Sequence, residues 1–531
     1  NRHRTSVSLE NEFWEELKFI AEKMGVEFLN KDSDTLQTDL MEFLTSRLGF
    51  GDFIFRNHYG RPLARAKGFK EFETIFRNIP TELLGEYCYD NRISSWLMSR
   101  GEIPLARQIN PIRFDNYTDP ELFRSDILAM MDDYRANRRR GKILDFDDID
   151  NFDERNVISM ASGSLGGKGR GLAFINTLIQ NIDTSHFDKE INIRLPITAI
   201  VGTDEFSHFM ERGNLYEYAF AADGNIPDYQ KLRERFAATP LSDKLMDRLK
   251  RFLDKIHRPI AVRSSSLSED SMNQPFAGVF DTYLVPNNAD TLDENVQLVA
   301  TAIKMVYASI YSETSRTYFQ TIRHNIEAEK MAVVLQVLAG NDHSGYYYPH
   351  VSGTAQSYNY YPVAHMKREE GFAVAAVGLG YYVVGGSKAF RFSPVWPGID
   401  TASTKDMVKN TQVDMLAVDL SRKKLDYVHD GEHAPLATLD IYEAEKHGTL
   451  RHCLSVYNPD NDSIEAGTDA HGPRIVNFAD ILKYNYIPMA NLISLLLNAA
   501  KDALGSPIEI EWAVDLDEDE RNGLPSFYLL Q

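Results

Sequence analysis

The run Arg258-Pro-Ile-Ala-Val-Arg-Ser-Ser-Ser-Leu-Ser-Glu-Asp-Ser271, continuing to Phe276-Ala-Gly-Val-Phe-Asp-Thr-Tyr283, leads an apolar strand into a serine-rich turn with an arginine at the junction. Arg263 is a permanent, forked cation matched to phosphate oxygens. The hydroxyls and N–H groups of Ser264, Ser265 and Ser266 can donate to the same anion. Glu269 and Asp270 follow at once, placed to orient the arginine or to approach a magnesium ion. The combination points to a polyphosphate pocket. A capped helix start with surface charges uses the same residue types and is the competing reading of this stretch alone.

A second anion cradle lies upstream, in Gly163-Ser-Leu-Gly-Gly-Lys-Gly-Arg-Gly-Leu-Ala-Phe-Ile175. Its glycines permit close backbone approach, the helix start that follows favours anions, and Lys168 adds a mobile charge. It is not a Walker A loop, because Lys168 is followed by Gly169 where Ser or Thr is required and the glycine spacing differs. Near the end of the chain, Pro507-Ile-Glu-Ile-Glu-Trp-Ala-Val-Asp515 alternates as a strand. Glu509, Glu511 and Asp515 then share one face while Ile508, Ile510, Trp512 and Val514 pack on the other. Two carboxylates beside a triphosphate suit magnesium; a solvated sheet edge is the plainer alternative.

In this order the blocks resemble the N-terminal ATP-binding domain shared by phosphoenolpyruvate synthases and pyruvate phosphate dikinases. The VRSS and FAG-DT elements match around Arg263, a GGKGANLA-like block around Lys168, a VVQ-MV-like strand at Met331-Ala-Val-Val-Leu-Gln-Val-Leu-Ala339, and a DIEWA-like strand at Glu511. Phe527-Tyr-Leu-Leu-Gln531 is similar to the family's YILQ. The resemblance covers roughly residues 155 to 531. It implies an α+β chain in which an ATP-grasp-like nucleotide-binding domain is preceded by a mostly helical N-terminal domain, with ATP and Mg2+ bound. It further implies that Gly166, Gly167, Lys168, Arg263 and Ser264 hold phosphates, with Lys168 and Arg263 catalytic. Backbone groups at Gln336, Val337 and Leu338 would read adenine, Glu511 and Gln531 would bind metal and nucleotide, and Glu509 would assist the metal. Glu269 and Asp270 would order the arginine loop.

The implied reaction is phosphoryl transfer from ATP to a histidine on a separate swivelling domain, and onward to pyruvate in a third domain. The pairs Ser185-His186 and Ser207-His208 lack the family's glycine-threonine context, and nothing resembles its enolpyruvate barrel. The phosphohistidine and pyruvate/phosphoenolpyruvate domains are therefore expected downstream in a longer protein, as is the phosphate-touching arginine that follows the glutamine in the family. Two departures stand out. Tyr381, in Gly378-Leu-Gly-Tyr-Tyr-Val-Val-Gly-Gly386, replaces a glutamate expected at the ribose, and Ser344-Gly-Tyr-Tyr-Tyr-Pro349 replaces SGVAFT. Two other classes remain open: a related phosphotransferase with another final acceptor, such as an antibiotic or a glucan, and a non-catalytic nucleotide-binding sensor or scaffold.

At 531 residues the chain exceeds one ordinary core, and two to four domains are expected. The expected division is 1–150, 151–340 and 341–531, with the acidic run Asp145 to Glu154 read as a linker. Helical spacing is read at Phe13 to Met24, Pro80 to Arg107 and Pro120 to Arg140. Strands at Ile191 to Val201, Ile260 to Val262, Ala332 to Val337 and Phe372 to Val377 alternate with helices such as Val296 to Thr317. In the N-terminal region His58, Asn91, Trp96, Arg100 and Glu102 serve a site or simple packing equally well. The balance of 57 basic against 77 acidic residues, net −20, opposes a nucleic acid partner. The basic cluster Arg135 to Lys142 reads as a solvated helix end. Two cysteines, Cys88 and Cys453, without metal-ligand spacing suit a reducing cytoplasm. No apolar run reaches the ~20 residues that span a bilayer.

Overall fold

The computed structural model describes residues 19, 34–44, 49–85, 91–139, 141–149, 152–220, 228–267, 269, 278–323, 325–363, 365–384, 388–400, 402–519 and 522–531. The chain divides into two compact units, Asn1–Arg138 and Arg139–Gln531. No helix among the described residues is long and apolar enough to cross a membrane.

In the first unit, the hairpin Phe53–Arg56 with Pro62–Ala66 packs with the helices Phe69–Asn78, Arg92–Ser99, Ile103–Ile109 and Pro120–Arg139 around Phe55, Phe72, Phe76, Trp96 and Met131. The helix expected over Pro80 to Arg107 is divided: a single 3-10 turn at Thr81–Leu83 precedes two short helices. Gly101, at φ +78°, turns the backbone left-handed between them. Three residues weighed for a site here serve packing. Trp96 Nε1 donates to the Gly51 carbonyl at 3.1 Å, the Arg100 guanidinium lies 4.1 Å from the Trp96 ring centroid, and Glu102 accepts from Tyr134 Oη at 2.7 Å.

The second unit mixes α and β structure. One six-stranded sheet runs Ile143–Asp145, Val157–Ala161, Thr198–Val201, Met331–Val337, Ile260–Ser266, Thr282–Val285 in spatial order. Its first three strands are parallel and the rest antiparallel. A second six-stranded sheet runs Phe390–Phe392, Phe372–Val377, Val351–Gln356, Glu509–Asp515, Ser526–Leu529, Asn192–Arg194. Smaller sheets of four and three strands complete the unit. The run read as one strand over Ile191 to Val201 is two strands, and each belongs to a different large sheet. Pro196, which cannot donate to a ladder, stands between them. The chain thus ties the two sheets together within a few residues.

The acidic run is not a free linker. Ile143–Asp145 pairs in parallel with Val157–Ser159, and Phe146 is 1 % exposed within the core of the first sheet. Buried Arg248 donates to Asp145 Oδ1 at 2.9 Å, to Asp147, and to the Met160 carbonyl at 2.8 Å. The carboxylates that made the run look solvated are what satisfy this buried cation. The helical stretch read over Val296 to Thr317 is two helices, Leu292–Ser309 with a Thr291/Glu294 capping box and Glu313–Ile322 capped by Ser312.

Trp512 holds the second sheet at its centre: it is fully buried, stacked on Phe527 at 5.8 Å, and it fills the space beside Gly353 on the neighbouring strand. Trp512→Ala is expected to destabilise the second unit by about 3–5 kcal/mol, seen as a lower denaturant midpoint in fluorescence or circular dichroism.

Candidate functional site

Arg263 stands in the strand Ile260–Ser266, paired in register with Val334 on one side and Thr282 on the other. Its guanidinium donates to Gln336 Oε1 at 3.1 Å, Glu511 Oε2 at 2.7 Å and Gln531 Oε1 at 2.8 Å. Gln336 comes from the same sheet as Arg263, whereas Glu511 belongs to the second sheet and Gln531 follows its strand Ser526–Leu529. One cation therefore joins the two sheets. The chain end is fixed to the same point: Glu511 N–H donates to the Gln531 carbonyl and Leu530 N–H to the Glu511 carbonyl, both at 2.8 Å, while Gln336 Nε2 donates to the Leu530 carbonyl at 3.0 Å.

Burial disfavours the charge on Glu511, but the Arg263 guanidinium, with Lys168 adding its field, prevails and holds this carboxyl below its ordinary value of 4.5. Glu509 behaves in the opposite way. Burial, opposed by a hydrogen bond from Gln356 Nε2 at 3.1 Å and reinforced by the charge of Glu511, pushes its carboxyl up.

The second cation, Lys168, lies in the first turn of the helix Gly166–Asn181, and its Nζ reaches buried Glu269 Oε1 at 2.5 Å. Glu269 also accepts from Ser264 Oγ at 3.2 Å and from Ser266 N–H at 3.0 Å, and its own N–H donates to Ser266 Oγ at 3.0 Å. Ser265 Oγ donates to the Leu165 carbonyl at 2.7 Å and accepts from Gly169 N–H at 2.9 Å. The Ser265 hydroxyl thus stitches the two loops together, while those of Ser264 and Ser266 fix Glu269 within its own loop. Ser264, expected among the phosphate donors, is fully buried with its hydroxyl committed to Glu269. Asp270, expected beside Glu269, lies outside the described residues.

The glycines of the cradle are required by the same stitching. A Cβ on Gly166, at φ +72°, would stand 1.9 Å from the Ser265 carbonyl oxygen, and one on Gly167 would stand 1.6 Å from that of Glu269. Only glycine lets the two backbones approach this closely.

At the expected adenine strand, the N–H groups of Val337 and Leu338 donate to the carbonyls of Ile197 and Pro259 at 2.9 and 2.8 Å. These two donors are engaged inside the protein, because Met331–Val337 is an interior strand with a partner on each side. Gln336 joins the site through its side chain. The tyrosines that replace SGVAFT are internal as well: Tyr347 Oη donates to the Leu338 carbonyl at 3.1 Å, and Tyr348 Oη meets His447 Nδ1 at 2.9 Å.

Sequence reasoning missed Glu432. Tyr381 Oη donates to Glu432 Oε1 at 2.7 Å, and Glu432 Oε2 accepts from the N–H of Thr282, the register partner of Arg263, at 3.1 Å. A carboxylate therefore lies beside the position where glutamate was expected, delivered from a distant loop and held by the tyrosine. Burial and this carboxylate both push the Tyr381 phenol up, so it remains a donor at neutral pH. No local motif around Gly431-Glu-His433 announces the pairing.

Comparison with known proteins gives a match to the family described as pyruvate phosphate dikinase, AMP/ATP-binding domain, over residues 162–531. Residues 1–31 match a ribbon-helix-helix domain family, almost entirely outside the described residues. An uncharacterised phosphotransferase of Bacillus subtilis (strain 168), YvkC, is 32 % identical over 196 residues, 36 % of this chain and 20 % of that protein. Phosphoenolpyruvate synthase of Aeropyrum pernix is 24 % identical over 306 residues, 55 % of this chain and 32 % of that protein. The prodigiosin synthesizing transferase PigC of Serratia marcescens is 35 % identical over 86 residues, 16 % of this chain and 9 % of that protein. The chain spans less than a third of the length of each of these relatives.

The depressed carboxyl of Glu511 fixes the sign of a pH effect. Its ion pair with Arg263 contributes stability that is fully present above the ordinary value of 4.5 and is lost as pH falls through the lower folded value. Wild type and Glu511→Gln should therefore differ in urea midpoint near neutrality and converge in acid below that value.

Proposed function

Because this chain belongs to the pyruvate phosphate dikinase AMP/ATP-binding domain family, we propose that it is the ATP-binding, phosphoryl-donating portion of a phosphoenolpyruvate synthase-like dikinase. The observation that carries this reading is the convergence of Arg263, Gln336, Glu511 and Gln531 where two sheets meet. In it the segments 151–340 and 341–531 form two ATP-grasp-like subdomains, with the nucleotide between them.

Lys168 and Arg263 neutralise the transferred phosphoryl group, and catalysis rests on positioning and charge compensation. Each cation already holds a carboxylate, so nucleotide binding is an exchange: Lys168 leaves Glu269, and Arg263 leaves Glu511 and Gln531, for phosphate oxygens. Arg263 in moving uncovers an ionised carboxylate and an amide oxygen. These are the hard oxygen donors that magnesium takes, so Glu511 and Gln531, assisted by Glu509, fit this ion. Bound there, magnesium would offset charge on the phosphates. Gly166 and Gly167 let the helix start lie against the arginine loop, and Glu269 orders that loop. The acceptor is a histidine on a swivelling domain outside this chain, and pyruvate in a further domain is the final acceptor. One relative's name, phosphoenolpyruvate synthase, supports pyruvate as the final acceptor, and another's, prodigiosin synthesizing transferase, supports the alternative of a related phosphotransferase with a different one.

A second reading, a nucleotide-binding sensor or scaffold without turnover, draws on Tyr381 and on the self-satisfied pairs Lys168–Glu269 and Arg263–Glu511. Calorimetric titration with Mg-ATP tests both. Saturable binding is expected, weakened about tenfold to a hundredfold in Arg263→Ala, as for the loss of charged hydrogen bonds. Phosphoryl transfer from ATP to an added phosphohistidine domain of a relative, with AMP left as the nucleotide product, supports the dikinase reading; binding without transfer supports the sensor, and no binding by wild type rejects both.

A further inference from the structure

Away from the phosphate site, two imidazoles and two carboxylates gather at the far end of the carboxylate strand. His343 ends the strand Asn341–His343, His350 directly precedes Val351–Gln356, and Asp517 follows Glu509–Asp515. One ligand atom from each of His343, His350 and Asp517 lies within 4.8 Å of the others. We propose that these three side chains bind a divalent first-row transition ion, with zinc as the reference case, at a site separate from the nucleotide's magnesium.

Three observations support it. First, His343 Nε2 is sealed from solvent and has no hydrogen-bond partner, a condition that buried polar atoms rarely keep without a bound ion or water. Second, His350 has its two nitrogens on two carboxylates: Nδ1 is 3.0 Å from Asp515 Oδ1 and Nε2 is 3.6 Å from Asp517 Oδ1. With its Nδ1–H donating to buried Asp515, the ring offers the Nε2 lone pair to the cluster, the carboxylate–imidazole–metal arrangement. Leu516 N–H, 3.2 Å from the same Nδ1, favours the other tautomer, so an ion at Nε2 would decide between them. Third, Asn341 Nδ2 clamps Asp515 Oδ2 at 2.7 Å and Asp517 Oδ2 at 3.0 Å, holding two anionic groups together. Among the described residues no lysine or arginine pairs with either carboxylate.

Two imidazole nitrogens and one carboxylate oxygen, without thiolate, suit zinc, cobalt or nickel and leave a position for water. Bond lengths of about 2.0–2.2 Å put tetrahedral ligands about 3.3 Å apart, so side-chain rotations moving these atoms by about 1 Å close the shell. The ion would staple the edge of the four-stranded sheet to the end of the strand that carries Glu511.

The test is titration of the chelator-treated 531-residue chain with Co2+, read by visible absorption, with Zn2+ as competitor and Mg2+ in millimolar excess. One Co2+ per chain, displaced by Zn2+ but not by Mg2+, is expected, together with a rise in melting temperature on adding Zn2+. Stoichiometric binding should be lost in His343→Ala and in Asp517→Asn, the latter neutralising an exposed carboxylate with little burden on folding. It should persist in His429→Ala, a control at an exposed histidine, and weaken about tenfold to a hundredfold in Asp515→Asn. Absence of stoichiometric binding by wild type, or binding that survives in both His343→Ala and Asp517→Asn, overturns the proposal.

Discussion

The site depends on one constraint: a guanidinium that is mostly out of water must be satisfied by oxygen acceptors from three separate parts of the chain. Arg263 finds them in Gln336, Glu511 and Gln531. An unpaired cation at this depth would cost several kcal/mol, so the acceptors must be in place before the arginine is tolerated. Meeting that requirement brings the strand Glu509–Asp515 and the segment Leu530-Gln531 against the interior strands Ile260–Ser266 and Met331–Val337 of the first sheet. The same geometry leaves a permanent cation beside one ionised carboxylate and two amide oxygens at a sheet junction. Such an arrangement can trade its internal partners for a polyphosphate and its counter-ion.

A second lock supports the first. The glycine helix and the serine loop touch backbone to backbone, with Gly166 and Gly167 admitting the carbonyls of Ser265 and Glu269. Glu269 gathers Lys168, Ser264 and Ser266 N–H on one carboxylate. Residue types that advertise phosphate binding are here consumed mostly by each other, and only the two cations remain exchangeable. Tyr381 extends this logic, positioning the carboxylate of Glu432 where the family pattern led to the expectation of a glutamate.

The strands carrying Arg263, Gln336 and Glu511 were legible because each is an apolar run of strand length, and alternation along Pro507 to Asp515 turned Glu511 away from Trp512. Lys168 was legible from glycines preceding a helical run. The serine hydroxyls were not, since the hydrogen-bond partner of a hydroxyl is chosen by tertiary neighbours that no local pattern encodes. Asp145 and Asp147 looked solvated for the same reason: Arg248 lies a hundred residues further along the chain. Glu432 and the cluster of His343, His350 and Asp517 escaped notice because their members are scattered in sequence and meet only when strands from distant segments pair. Val337 and Leu338 show the converse, a correctly read strand whose backbone is already spent on its neighbours.

The central claim is that Arg263 exchanges Glu511 for phosphate and thereby releases a carboxylate to magnesium. The most direct measurement is ATP affinity with and without Mg2+ in wild type and in Glu511→Gln. If the exchange operates, Mg2+ tightens ATP binding in wild type, whereas Glu511→Gln binds metal-free ATP at least as tightly as wild type and gains nothing from Mg2+. Equal Mg2+ dependence in the two proteins would contradict it.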